Sequence, residues 1–380
     1  MSQPTTTPAA ADPNAVTCPV CLDEVTWSES DLFELRADGK WVPIKADQLG
    51  SGPRRNSVLR TAFQRCPNQF REEPETHYLP VAYLRHGRPL VIGLVGGSSV
   101  GKTHLLTAMI GEIEAGGLRP WGISHNAVDI DLHTSFLEKR KDPLLGRGEM
   151  LEKTGLESAV NFVDALLISH GIRPPRPVAF FDVSGDMLAP GDREFRRSTK
   201  FLNAVGALIF VADPARMRRL GAVGKAAGTR TLAESVGEDR TFRGVLERLI
   251  GRKNGSPPYY DIPAATVIAK SDLLRFEPPV DRWIRRPPPQ PRRLDPAAIR
   301  QESREAYAFL HQYGGGNLAV AFDECRRATL HFASATGSRG DTKTSSFPLG
   351  ARPRRVLEPL IALLAMTGVI DEPAAAEVGV

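Results

Sequence analysis

Residues 90–103 read LVIGLVGGSSVGKT. Six apolar-rich residues, Leu90 to Val95, have the composition of a buried strand, and a glycine-rich turn follows them at once. The turn, Gly96-Gly97-Ser98-Ser99-Val100-Gly101-Lys102-Thr103, matches G-x-x-x-x-G-K-[ST] at every fixed position. Beyond it, Leu105, Leu106, Met109, Ile110 and Ile113 recur at helical spacing, which predicts a helix over 103–115. Strand, glycine turn and helix in that order suit phosphate binding. Glycines let backbone N–H groups curl round an anion, and the helix N-terminus adds partial positive charge. Lys102 can reach the β- and γ-phosphates, Thr103 can ligate Mg²⁺, and His104 completes the binding stretch on the first helical turn.

Outward from this turn, apolar runs recur at 178–182 (VAFFD), 207–212 (ALIFVA), 265–269 (ATVIA) and 329–333 (TLHFA), with a weaker strand signal at 121–124. Separated by longer stretches that read as helix, they predict an α/β fold with a mostly parallel central sheet flanked by helices. Helices are expected near 241–250, over 297–313, and after Pro353 to near Gly368. Residues 125–155 read as charged and irregular. In 276–296 (FEPPVDRWIRRPPPQPRRLDP) the prolines argue against helix and strand.

Each of three apolar runs ends in residues that can serve a nucleotide. Asp182-Val183-Ser184-Gly185 offers a carboxylate for Mg²⁺ and a glycine N–H for the γ-phosphate, with Asp186 next. Ala269-Lys270-Ser271-Asp272 offers a carboxylate that can accept from guanine N1–H and the 2-amino group together, while the Lys270 stem can lie over the base. Adenine lacks that donor pair and would leave the carboxylate unpaired. Ser334-Ala335-Thr336 can direct a backbone N–H at guanine O6. All sit where α/β ligands bind, beyond the carboxyl ends of strands.

With these motifs in this order, the sequence resembles the translation-factor-related (TRAFAC) class of P-loop GTPases. More narrowly, it is similar to the bacterial double-GTPase-type domains that carry a cysteine-rich amino-terminal module. The resemblance spans about residues 18–370 and implies GTP/GDP and Mg²⁺ binding, slow hydrolysis and a switch cycle. Thr103 and Asp182 would hold the metal, and Lys102, Gly185 and Asp186 would face the reacting phosphate. Two positions depart from the class pattern. Ala269 replaces the usual Asn or Thr before Lys270, and Asp186 stands where many members carry a water-orienting Gln. A switch threonine is expected between the glycine turn and Asp182, and Thr154 is preferred to Thr134, although it can equally cap a helix. Arg140, Arg147, Arg193 and Arg196 are candidates for an activating arginine.

Three of the four cysteines fall near the N-terminus, as Cys18-Pro19-Val20-Cys21 and Cys66. Three thiolates and one imidazole make a closed tetrahedral Zn²⁺ site. His77 is the imidazole that the resemblance supports, and His86 is the alternative. A redox C-x-x-C or unrelated thiols are the competing readings. Cys325 reads as a small core residue. The expected organisation is a tail (1–17), a zinc-binding module (18–86), a GTPase domain (87–371) and a C-terminal tail (372–380).

Composition narrows the classes further. The 380 residues are 41% hydrophobic and 24% charged, which excludes a fibrous or wholly disordered chain. No stretch reaches the ~20 apolar residues of a membrane span, and the N-terminus has no secretory pattern, so a cytoplasmic location is expected. A net charge of +5 is too small to argue for nucleic acid. Arg282, Arg285, Arg286, Arg292 and Arg293 gather round Trp283, as a solvated excursion or a docking segment for a protein partner. Two other function classes stay open, an ATPase or ATP-driven scaffold and a non-hydrolysing interaction module. A nucleotide-dependent homodimer is compatible with all three.

Overall fold

The structure is a computed structural model. It describes the chain apart from residues 1–13, 69–75, 153–159, 185–191, 218–219, 221–240, 250–252, 256–257 and 288–292, and the side chains of 192–196, 216 and 254. The chain divides into two compact units, Met1–Pro89 and Leu90–Val380.

The first unit is built from short antiparallel strands. Ala15–Thr17 pairs with Glu24–Thr26, so part of the stretch expected as tail is a strand. A four-stranded sheet follows in the order Trp41–Pro43, Leu32–Leu35, Phe63–Arg65, Tyr78–Pro80. Among the described residues, Leu32, Leu59, Ala62 and Val81 form an apolar cluster with Trp27, Ile44 and Leu49 packed against it.

The second unit holds a seven-stranded sheet. Its strands are β1 (Leu90–Gly96), β2 (Ile123–Ala127), β3 (Val160–His170), β4 (Arg176–Ser184), β5 (Ala207–Ala212), β6 (Ala264–Ile268) and β7 (Ala328–Phe332). The order is β7-β6-β5-β1-β4-β3-β2. Pairings from β7 through β1 to β4 are parallel, while β3 runs antiparallel to both β4 and β2. Every residue of β1, β5, β6 and β7 is buried, as expected of parallel strands covered on both faces.

Five helices matter for the site: α1 (Lys102–Glu114), α2 (Ile130–Phe136), α3 (Asp192–Ala204), α4 (Pro296–Gln312) and α5 (Glu358–Met366). Ile110 and Ile113 of α1 and Leu360 and Leu364 of α5 share one core with Ile92, Leu94, Phe180, Ile209 and Val267. Strand alternation turns Phe181 to the other face, where its ring meets Phe201 of α3 at 5.5 Å.

Three segments differ from the sequence expectation. Residues 125–155 are not irregular throughout: β2 continues to Ala127, Asp129 caps α2 by accepting from Leu132 N–H (3.0 Å), and a π-helix spans Leu137–Gly146. The proline-rich stretch contains a helix at Val280–Arg285, which fits between Pro279 and Pro287 with Trp283 and Ile284 buried. Residues 372–380 are packed. Val378 is fully buried, and the Arg327 guanidinium donates to the carbonyls of Met366 (2.9 Å), Ala375 (2.7 Å) and Val378 (2.8 Å).

Candidate functional site

The parallel strands deliver five polar segments to one sheet edge. Gly96 closes β1 and Asp182 lies near the end of β4, while Asp213 follows β5, Lys270 and Asp272 follow β6, and Ser334 follows β7.

The turn after β1 is shaped by its glycines. A Cβ on Gly96 would stand 2.7 Å from the Val211 carbonyl oxygen, so only glycine lets β1 leave the sheet beside β5. Ser99 (φ 65°) and Gly101 (φ 101°) are left-handed, and fully buried Val100 anchors the turn between them. Lys102 Nζ donates to the carbonyls of Gly96 (2.8 Å) and Gly97 (3.1 Å), so its ammonium lies across the turn. The Thr103 hydroxyl donates to Asp182 Oδ2 at 2.7 Å, joining the start of α1 to β4. Both offer the hard oxygen donors that Mg²⁺ prefers.

At the other end, Lys270 has a left-handed backbone (φ 51°). Its Nζ donates to the Ser99 carbonyl (3.0 Å) and to Asp213 Oδ2 (2.5 Å). Asp213 is fully buried, and its other oxygen accepts from Ala215 N–H at 2.9 Å. The motifs had not pointed to Asp213, yet its signal was present: like Asp182, it ends an apolar run. Asp272 Oδ1 accepts from the Ser334 hydroxyl at 2.5 Å, and Ser334 Oγ in turn accepts from Gly337 N–H at 2.8 Å. Burial raises the Asp272 carboxyl above its ordinary pKa, against the pull of the Ser334 hydroxyl. Thr336, beside Ala335, donates its hydroxyl to the Ser338 carbonyl (3.0 Å).

His104 is engaged away from the turn. Its Nε2 accepts from Leu151 N–H at 3.3 Å, and its ring meets Phe347 edge-on at 6.1 Å. Burial, helped by the Lys270 charge, lowers its pKa to about 4 and keeps it neutral. Thr154, Gly185 and Asp186 lie outside the described residues, as do the side chains of Arg193 and Arg196. Thr134 is exposed on α2, and Arg147 is taken up by Glu149 at 2.7 Å.

In the first unit, Cys18, Cys21, Cys66 and His77 bring four ligand atoms within 4.8 Å of one another. The strand ends do this work: Cys66 N–H donates to the His77 carbonyl (3.0 Å), and Val20 and Cys21 N–H point at Cys18 Sγ (3.4 and 3.5 Å). Cys21 Sγ lies 3.8 Å from Cys66 Sγ, and Cys18 Sγ lies 3.3 Å from His77 Nε2. A tetrahedron with Zn–S bonds of about 2.3 Å has an S–S edge of about 3.8 Å. Both sulfurs are free thiols, not a disulfide. Burial pushes the Cys18 thiol up, the hydrogen bond with Cys18 pulls Cys21 down, and Cys21 with Cys66 lifts His77 to about 9. Three sulfurs and an imidazole nitrogen this close together match a tetrahedral donor set, so the group can hold a metal such as zinc. His86 is not part of it; its Nδ1 lies 2.8 Å from the Ala82 carbonyl of its own turn.

Among the described residues no helix is long and apolar enough to cross a membrane. No family model and no curated protein matches this chain.

Proposed function

We propose that this chain is a Mg²⁺-dependent guanine-nucleotide-binding protein of the P-loop type, which hydrolyses GTP slowly and switches a protein partner. One observation carries the reading. The glycine turn, the Asp182 strand, the Lys270–Asp272 turn and the Ser334 turn, read separately from the sequence, meet at one sheet edge and are hydrogen-bonded to one another.

Each group then has a role. Backbone N–H groups at the head of α1 hold the phosphates, with the helix N-terminus contributing partial positive charge. Lys102 Nζ exchanges its two carbonyl partners for phosphate oxygens, where its charge is worth more. Thr103 and Asp182 hold Mg²⁺, which when bound neutralises charge on the β- and γ-phosphates. Lys270 lies along the base and fastens the phosphate turn through Ser99. Asp272 accepts from the guanine N1–H and 2-amino groups. In the first unit, Zn²⁺ at Cys18, Cys21, Cys66 and His77 is structural, since four protein ligands leave no open position. A second reading, an ATP-binding scaffold, draws on the burial that disfavours the charged form of Asp272.

Calorimetry with GTP, GDP and ATP in the presence of Mg²⁺, on wild type and Asp272→Ala, separates the two. Micromolar or tighter guanine binding that collapses in the variant is expected. ATP binding equal to GTP binding, and indifferent to Asp272, would sink the guanine reading.

A further inference from the structure

Behind the base-reading edge lies a buried carboxylate that the roles above leave unused. Glu302, on α4, is 1% exposed. Its Oε1 accepts from Phe332 N–H (3.0 Å), at the end of β7. Its Oε2 accepts from Arg355 Nη2 (2.7 Å) and from His331 Nδ1 (3.1 Å), and His331 Nε2 lies 2.9 Å from the Thr329 hydroxyl. Burial works to raise the Glu302 pKa, but Arg355 and His331 outweigh it and hold the carboxyl below its ordinary range. The pair is therefore a charged one inside the fold. Such pairs seldom outdo apolar packing in stability, and their best-attested use is to fix a register.

The register fixed here is that of the turn after β7. Ser334 and Arg354 exchange two backbone hydrogen bonds (2.9 and 2.8 Å), and Arg352 N–H donates to the Thr336 carbonyl (2.8 Å). Arg355, the next residue, has φ 56°, a left-handed conformation that side-chain-bearing residues avoid. Its guanidinium also lies 5.4 Å from the centre of the Trp283 ring. Arg355 is thus strained at its backbone and held at its tip, one residue from the Arg354 backbone that bridges to Ser334.

We infer that Glu302 and Arg355 are positioning residues for base recognition: their buried pair clamps Arg354 against Ser334 and so aims Ser334 and Asp272 at the base. The inference rests on the guanine reading given above. Glu302 and Arg355 spend their polar groups on one another and on the backbone at the end of β7, so the clamp acts on discrimination between bases and not on grip of the phosphates.

The test uses the full chain with Arg355→Met and the milder Arg355→Lys, which keeps the charge on Glu302 but loses the planar fork. GTP and ATP affinities are measured by calorimetry, and amide exchange of Ser334 and Arg354 is followed by mass spectrometry. Arg355→Met is expected to weaken GTP by about tenfold, leave ATP unchanged and speed exchange at both amides, with Arg355→Lys between it and wild type. If Arg355→Met does not fold, the same comparison is made between Arg355→Lys and wild type. Unchanged GTP preference with unchanged exchange would overturn the inference, as would equal losses for GTP and ATP. A wild type that does not prefer GTP would instead bring down the guanine reading, and exchange at Ser334 would still report whether the pair clamps the turn.

Discussion

The two units hold themselves together by different means. Among its described residues, Met1–Pro89 has an apolar cluster of Leu32, Leu59, Ala62 and Val81 and a knot of three thiols and an imidazole. Leu90–Val380 has a core that joins six strands to α1 and α5. A unit of under a hundred residues buries a smaller share of its surface than a larger one, so apolar burial offsets less of its chain entropy. A metal ion held by Cys18, Cys21, Cys66 and His77 would add the bonds that burial does not supply. The sheet unit has apolar area enough of its own.

The largest effect should therefore come from removing metal. A strong chelator at pH 7 is expected to abolish amide protection in the first unit, where structural zinc is worth about 10–16 kcal/mol, and to leave β1 and β5 protected. His77→Ala should behave likewise and His86→Ala should not. If protection in the sheet collapsed as well, the units would not be energetically separate.

A smaller change should fall on the other side. Phe180→Ala opens a hole in a fully buried site and should cost the sheet unit about 3–5 kcal/mol, read from urea midpoints. Metal content of the first unit should be unaltered.

The smallest effect is pH-dependent. His104 has its pKa lowered to about 4 in the folded chain, against about 6.5 when unfolded. The unfolded chain takes up the proton first, so this contribution is complete above about 6.5 and declines by about 1.4 kcal/mol per pH unit on the way down to about 4. Gln cannot titrate, so urea midpoints of His104→Gln should fall less steeply than wild type across that window. Equal slopes would mean that the imidazole is not shielded.

How legible each unit was in the sequence follows the same division. Strands β1 and β5 were legible because parallel strands buried on both faces are continuous apolar runs, and the glycine turn because few residue types fit so tight an exit. Strand β3 was harder to read. Asp164 lies in its middle and is fully buried, because His133 on α2 holds it at 2.6 Å, a partnership no local pattern reveals. The packing of 372–380 was hidden for a related reason, since it depends on Arg327, far away in the chain. In the site, the residue types at Asp182, Lys270 and Asp272 could be read directly. Asp213 ends an apolar run as Asp182 does, but its partnership with Lys270 is set by the fold and no motif names it. The choice between His77 and His86 likewise needed the hairpin that carries Cys66 next to His77.

The place of β1 in the sheet also bears on how the chain is made. It lies at the centre, flanked by β4 and β5, and both are synthesised well after it. At roughly 5–20 residues per second, a fully apolar strand leaves the ribosome several seconds before either neighbour exists to cover its edges. The last ligand of the metal group, His77, has by then already emerged, so the first unit can close while the second waits. Newborn chains of this protein should accordingly pass through a stage with one finished unit and one sticky strand, the stage at which a chaperone that binds apolar segments would find them.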